Sequence, residues 1–247
     1  MTGLRGAYRD TIVALLDRLI EGQRQALDAA RDAVVAALAA DRLVYVAGSG
    51  HSHLLAEEVF YRAGGIAAAQ AILDPDLMLH KGAQRSTLLE REEGRAETVL
   101  AGYPVGPGDA VFIASNSGRN AYPIELALGA RARGATTIAI TSMRHARQIT
   151  SRHITGKLLY QVTDIVIDNE GAYGDAALDI PGRDTVRMGP TSTIAGVFIL
   201  NAILAEAVAL LAARGIGADV YPSANAQGLE AASTAMIERW KPRISGL

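Results

Sequence analysis

Apolar positions in this chain fall into two alternating kinds of segment. Short, mostly apolar runs occupy positions 43–47, 66–73, 110–114, 136–141 and 164–168, several of them rich in β-branched residues and each flanked or closed by glycine, serine or charged residues. Runs of that length without polar alternation predict strands buried on both faces. Between them, apolar residues recur at helical spacing. Tyr8, Ile12, Leu15, Leu19, Ala26 and Ala30 keep that period, and an alanine-rich run continues to Ala40 with Gly22 as a break. This predicts one long N-terminal helix or a pair. Further helices are predicted over 52–62, closed by Gly64-Gly65, and over 122–133, 192–213 and 223–240. The connection 74–102 is irregular, and Thr87 and Glu90 stand at capping-box spacing, which predicts a charged helix opening near Thr87. Connections that long are usually functional or act as lids. Strands alternating with helices predict an α/β fold with a doubly wound parallel sheet and ligands at the carboxyl ends of its strands.

Three strand-to-helix junctions carry the candidate chemistry. The central one runs from the strand ending at Ala114 into Ser115-Asn116-Ser117-Gly118-Arg119-Asn120. A helix N-terminus offers backbone N–H groups without intrahelical partners and a dipole that favours negative charge, while Gly118 admits close approach and the seryl hydroxyls add donors. Such a junction suits a phosphate; such residues also serve simply as helix caps. Gly48-Ser49-Gly50-His51-Ser52 repeats the pattern after the first strand, and Gly189-Pro190-Thr191-Ser192-Thr193 opens the long apolar helix. A dinucleotide fingerprint is absent, because His53 stands where its third glycine would fall. The segment 169–188 reads as a polar, glycine-rich loop.

Composition narrows the class. The chain has 247 residues, 49% of them hydrophobic, enough for a sizeable core. Its net charge of −2, with both signs interspersed, points to neither a nucleic-acid partner nor a membrane anchor. With no cysteine, disulfides and thiolate metal sites are excluded, and a cytoplasmic setting is expected. Residues 1–10 lack the basic-then-apolar pattern of a targeting signal. The apolar run 192–213 contains Asn201 and Glu206, and a carboxylate near the middle of a membrane span costs about 2–3 kcal/mol, so a soluble protein is expected.

Taken in order, Gly48-x-Gly50-x-Ser52, Ser115-x-Ser117-Gly118-x-Asn120 and Pro190-Thr191-Ser192-Thr193 resemble the sugar isomerase (SIS) domain of phosphosugar isomerases and phosphosugar-binding proteins. The resemblance covers roughly residues 43–213. It implies a five-stranded, flavodoxin-like three-layer sandwich over 41–247, with residues 1–40 as extra N-terminal helices. It also implies a homodimer or homotetramer with sites near subunit boundaries. In that family the serines matching Ser52, Ser115 and Ser117, and a hydroxyl residue where Asn120 stands, hold the sugar phosphate. The Ser192 region lines the same pocket, and Gly50, Asn116 and Thr191 belong to the same loops. Asn120 departs from the commoner Thr or Ser but keeps a donor and an acceptor.

The chemistry implied is aldose–ketose interconversion of an open-chain sugar phosphate through an enediol, which needs a general base, an acid and an oriented phosphate. His51 and Glu58 lie seven positions apart, on one face if the helix has begun, and Glu58 resembles a glutamate of the phosphoheptose isomerase branch. The alternative for Glu57 and Glu58 is a surface pair serving Arg62. His80 lies in the connection where such isomerases often carry a catalytic histidine, and Glu125 resembles a glutamate of the arabinose-phosphate isomerase branch. For these the plainer roles are a solvated loop histidine and a carboxylate complementing a helix dipole. Some phosphoheptose isomerases carry zinc, but His51 and His53 would point to opposite sides and no carboxylate stands at an obvious third-ligand spacing, so no cofactor is expected and zinc is kept as the minority reading. His145, His153, Arg144, Arg147 and Arg152 form a small basic stretch read as a solvated face, with an anionic ligand nearby as the minority reading.

Two other classes fit the same resemblance: a non-catalytic phosphosugar sensor and a lyase acting on an amino-sugar-phosphate ether. The residues before the first strand are too few and too little basic for the DNA-binding domain of the family's regulators. A glutamine-dependent amidotransferase is disfavoured by the missing cysteine and second domain.

Overall fold

Two helices, α1 (Leu4–Gly22) and α2 (Arg24–Ala39), open the chain in the computed structural model, which describes residues 3–247. Met1 and Thr2, the start of the segment read for a targeting signal, lie outside the described residues. Five strands follow: β1 (Val44–Gly48), β2 (Ala69–Ile72), β3 (Ala110–Ala114), β4 (Thr136–Thr141) and β5 (Ile165–Asp168). All pair in parallel, in the order β2-β1-β3-β4-β5. Between them run α3 (His53–Val59), α4 (Ala83–Leu89), α5 (Arg95–Leu100), α6 (Ala121–Ala132) and α7 (Met143–Ala146). A hairpin, β6 (Leu178–Ile180) and β7 (Arg183–Met188), precedes α8 (Ser192–Ala213) and α9 (Glu230–Trp240).

Side chains alternate across each strand, and both faces are covered. Val44, Val46, Phe112, Ile138 and Ile140 pack into one layer with residues of α1, α2, α3 and α8. Tyr45, Ala47, Val111, Ile113 and Ala139 face the other, with residues of α5 and α6 and with Trp240. That double burial is why the strands read as unbroken apolar runs. α8 is long and apolar enough to cross a membrane by length and composition, but Ile199, Leu200, Ile203 and Leu211 are buried in the first layer against α2 and α3.

Several boundaries differ from the sequence reading. The second strand is shorter than 66–73, and the last helix begins at Glu230 rather than near 223. Part of the segment read as a polar loop over 169–188 is the β6–β7 hairpin. Thr87 lies in the last turn of α4, where its hydroxyl donates to Ala83 O in place of capping a new helix, and Glu90 stands just past the helix end. The helix predicted over 52–62 spans only His53–Val59, because Phe60 is extended and Tyr61 takes a φ of 43°.

The strand order reverses between β1 and β3. Chain leaving β1 turns toward β2, chain leaving β3 turns toward β4, and a crevice opens at their carboxyl ends, where open α/β sheets hold ligands.

Candidate functional site

The loop after β1 folds tightly back on itself. A Cβ on Gly48 would lie 2.5 Å from Ser52 O, so only glycine permits the turn. Gly50–Ser52 forms a single 3-10 turn before α3, with Gly50 at a φ of 56°. After β3, Ser115 Oγ accepts from Gly118 N at 3.1 Å, and Gly118 takes a φ of 60°. Among the described residues, the amides of Asn116, Ser117, Arg119 and Asn120 have no acceptor. These amides, with the dipole of α6 behind them, make the loop an anion cradle.

The two loops share one narrow cleft, lined by His51, Ser52, Leu55, Ser115, Asn116, Asn169, Ser192 and Thr193 among others. Asn116 Oδ1 accepts from Asn169 Nδ2 at 2.9 Å, tying the β3 loop to the end of β5. Three junctions distant in sequence therefore meet at one rim. Ser117 is half-buried in the β3 loop beside this lining.

The third junction is already engaged. Asp175 Oδ1 accepts from Thr191 N at 2.8 Å, Thr191 Oγ1 at 3.2 Å and Ser192 N at 3.0 Å, while Oδ2 accepts from Ser192 Oγ at 2.5 Å. A carboxylate of the chain itself thus neutralises the start of α8. Thr191 and Ser192, read as phosphate ligands, have their hydroxyls committed to Asp175, and a phosphate approaching there meets a negative charge. Asp175 holds a φ of 51°, unusual for a residue other than glycine, directly after Gly174 at 73°.

A second carboxylate bridges the loops that leave β1 and β3. Glu90 accepts from Ser49 Oγ of the β1 loop at 2.8 Å and, through Oε1, from Asn120 Nδ2 at the start of α6 at 2.6 Å. Its backbone oxygen also accepts from Tyr122 N at 3.1 Å. Burial raises the Glu90 carboxyl above its ordinary value, against opposing effects of Ser49, Arg91 and Arg152. Arg152 NH1 donates to Asn120 Oδ1 at 3.0 Å, and desolvation with the nearby charges of Arg119 and Arg91 lowers the pKa of its guanidinium. Arg152 is thus drawn out of the basic stretch read as a solvated face and placed beside the anion cradle. Sequence reasoning placed Glu90 at a helix start, and the only signals for its role were the length of its connection and its charge.

The residues expected to act as acid and base are scattered. Glu58 pairs with Arg62, accepts from Asn201 Nδ2 at 3.0 Å and is not among the cleft residues, which is the surface-pair alternative. His51 precedes α3, in the 3-10 turn, so the shared helical face with Glu58 does not form. It is exposed at the cleft rim. His80 is exposed in a 3-10 turn, Leu79–Lys81. Glu125 accepts from Gly94 N at 2.8 and 2.9 Å and lies 3.7 Å from His153 Nε2, away from the cleft. His53 is 2% exposed; burial lowers its pKa, and among the described residues its Nε2 has no partner.

Residues 7–142 match the SIS domain. The chain belongs to the SIS domain family. The match begins within α1 and ends after β4, so it includes the first two junctions of the SIS fold but not Thr191 and Ser192. A UPF0309 protein of Geobacillus thermodenitrificans is 43% identical over 237 residues, which is 96% of this chain and 95% of that one. A UPF0309 protein of Listeria monocytogenes is 40% identical over 237 residues, again with 96% of each chain covered. Two solved SIS-type structures share the fold. The phosphoheptose isomerase of Francisella tularensis has a TM-score of 0.54 at 16% identity, covering 84% of this chain and 98% of that one. That of Neisseria gonorrhoeae has a TM-score of 0.53 at 16% identity, covering 81% and 95%.

Proposed function

We propose that this SIS protein is a phosphosugar isomerase that interconverts an aldose phosphate and a ketose phosphate. The observation that carries the reading is the loop 115–120, whose unpartnered amides, seryl hydroxyls and adjoining Arg119 and Arg152 make a cationic, donor-rich cradle at the start of α6. A dianionic phosphate satisfies those donors and gains from the helix dipole. The kinship with SIS proteins and the fold shared with phosphoheptose isomerases favour a sugar as the rest of the ligand.

With the phosphate on that loop, the open-chain sugar lies along the crevice toward Ser52 and His51. Glu90, between the β1 and β3 loops, is the carboxylate suited to move a carbon-bound proton, and burial brings its pKa toward the range a general base needs. In the aldose-to-ketose direction, Glu90 takes the C2 proton while His51 gives one to the carbonyl oxygen at C1, forming the enediol. His51 then takes the proton from the C2 hydroxyl, and Glu90 returns its proton to C1. No proton is gained or lost overall.

Thermal-shift titration with pentose, hexose, heptose and amino-sugar phosphates tests the ligand class, and incubation of each binder in deuterated water tests the chemistry. Stabilisation by at least one member, with deuterium entering beside its carbonyl, is the expected result. Binding without exchange would make the protein a sensor, and a flat panel would remove the ligand class.

A further inference from the structure

We propose that Arg152 is a positioning residue for Glu90, acting on it through the side-chain amide of Asn120. The inference rests on the reading of Glu90 as the general base and adds what holds that carboxylate ready. Arg152 NH1 donates to Asn120 Oδ1 at 3.0 Å, and Asn120 Nδ2 donates to Glu90 Oε1 at 2.6 Å. One amide, at the start of α6, therefore joins the loop after α7 to the connection between β2 and β3.

Chemistry fixes the direction of this relay. A guanidinium has donors and no acceptor, so the oxygen of the Asn120 amide faces Arg152 and its nitrogen faces Glu90. A carboxylate only accepts and suits that nitrogen. A carboxylic acid could not carry its proton on Oε1 without turning the amide over, and Arg152 holds the amide against that turn. The relay thus favours the ionised form, the one able to take a carbon-bound proton. Ser49 Oγ, which donates to Glu90 Oε2 at 2.8 Å, can rotate to serve either form, as could a Thr or Ser at position 120. Asn120 is accordingly assigned to the carboxylate rather than to the phosphate.

The anchor is itself held in place. Arg152 N donates to Arg119 O at 2.8 Å and Arg119 Nε donates to Thr150 O at 3.0 Å, so the chain around Arg152 is tied to the loop that follows β3. Asn120 is 7% exposed, which shields both of its bonds from water. Ser49, Arg91 and Arg152 all oppose the effect of burial on Glu90, but among the described residues only Arg152 brings charge and also orients a donor. Desolvation, Arg119 and Arg91 lower the pKa of Arg152, yet a guanidinium stays charged at any pH the test uses. Its Nε and NH2 have no acceptor among the described residues and remain for the phosphate.

The test is a ¹³C NMR titration of the ligand-free, glutamate-labelled chain, in which the Glu90 carboxyl signal is the one missing from Glu90→Gln. Arg152→Met, which removes the charge, should raise the Glu90 pKa by about one pH unit. Asn120→Ala should raise it as well, and Arg152→Lys, which keeps the charge, should raise it less than Arg152→Met. With a sugar phosphate that undergoes exchange, the acid limb of deuterium exchange against pH should move up in Arg152→Met by the same amount. A purely structural role would lower stability or rate and leave both midpoints in place. Arg152 is exposed, so its two variants decide the matter even if Asn120→Ala fails to fold. A Glu90 titration unmoved in Arg152→Met, or moved equally by Arg152→Lys, would overturn the relay. Exchange as fast in Glu90→Gln as in the unsubstituted chain would instead remove Glu90 as the base, whatever the titration shows.

Discussion

Ser49 Oγ donates to Glu90 at 2.8 Å, fastening a carboxylate from the long connection between β2 and β3 onto the loop that leaves β1. The other bond of that carboxylate, from Asn120 Nδ2, reaches the loop that leaves β3. Glu90 is therefore the side chain that spans the reversal of the sheet. Replacing it with Gln keeps its volume and removes its basicity. Glu90→Gln should slow deuterium exchange into a bound sugar phosphate by about 10²–10⁴-fold while leaving ligand affinity nearly unchanged. Exchange at the unsubstituted rate would remove Glu90 as the base.

The same residue sets a pH dependence. Its folded-state pKa lies above the ordinary 4.5, so the folded chain retains the proton to higher pH than the unfolded chain does. The stability it contributes is complete below 4.5 and is lost as pH rises through the raised folded value. Glu90→Gln does not titrate. The Tm of that variant relative to the unsubstituted chain should climb as pH rises above 4.5, and a constant difference between the two would contradict the assignment.

Asp175 holds the start of α8 through two amides and two hydroxyls. Asp175→Ala removes that cap and its charge, and urea unfolding should show a loss of about 1–2 kcal/mol. Asp175→Gly loses the same bonds but relieves the left-handed backbone, so it should be less destabilising than Ala.

Gly118 shapes the anion cradle. At a φ of 60° an alanine is strained, and its Cβ would lie 3.0 Å from Leu159 Cβ and 3.3 Å from Thr141 Oγ1. Gly118→Ala should cost about 1–2 kcal/mol in denaturant unfolding and weaken anion binding by tilting the amides of the loop. Unchanged stability and affinity would show that the cradle does not depend on this turn.

The sheet was legible because burial on both faces leaves an unbroken apolar run, and Val44 to Ala47 or Val111 to Ala114 have no other use for such a pattern. The first two junctions were legible for a local reason: Gly48 and Gly118 mark turns that other residues fill poorly. Glu90 and Asp175 were not. They lie in segments without periodicity, and their partners Ser49, Asn120, Thr191 and Ser192 are brought to them by tertiary packing alone. The face expected to join His51 and Glu58 was not legible because α3 begins only at His53, after a single 3-10 turn that holds His51, and no proline marks that start.

Everything proposed for the site rests on the start of α6 gripping the charged end of a small carbohydrate. Calorimetric titration of the sugar-phosphate panel into the unsubstituted chain and into Ser117→Asp probes this most directly, since an aspartate there sets a negative charge among the amides of the loop. At least one member should bind the unsubstituted chain and bind Ser117→Asp at least about 100-fold more weakly, in line with a like charge costing several kcal/mol. A ligand that binds both proteins equally well would place the phosphate elsewhere.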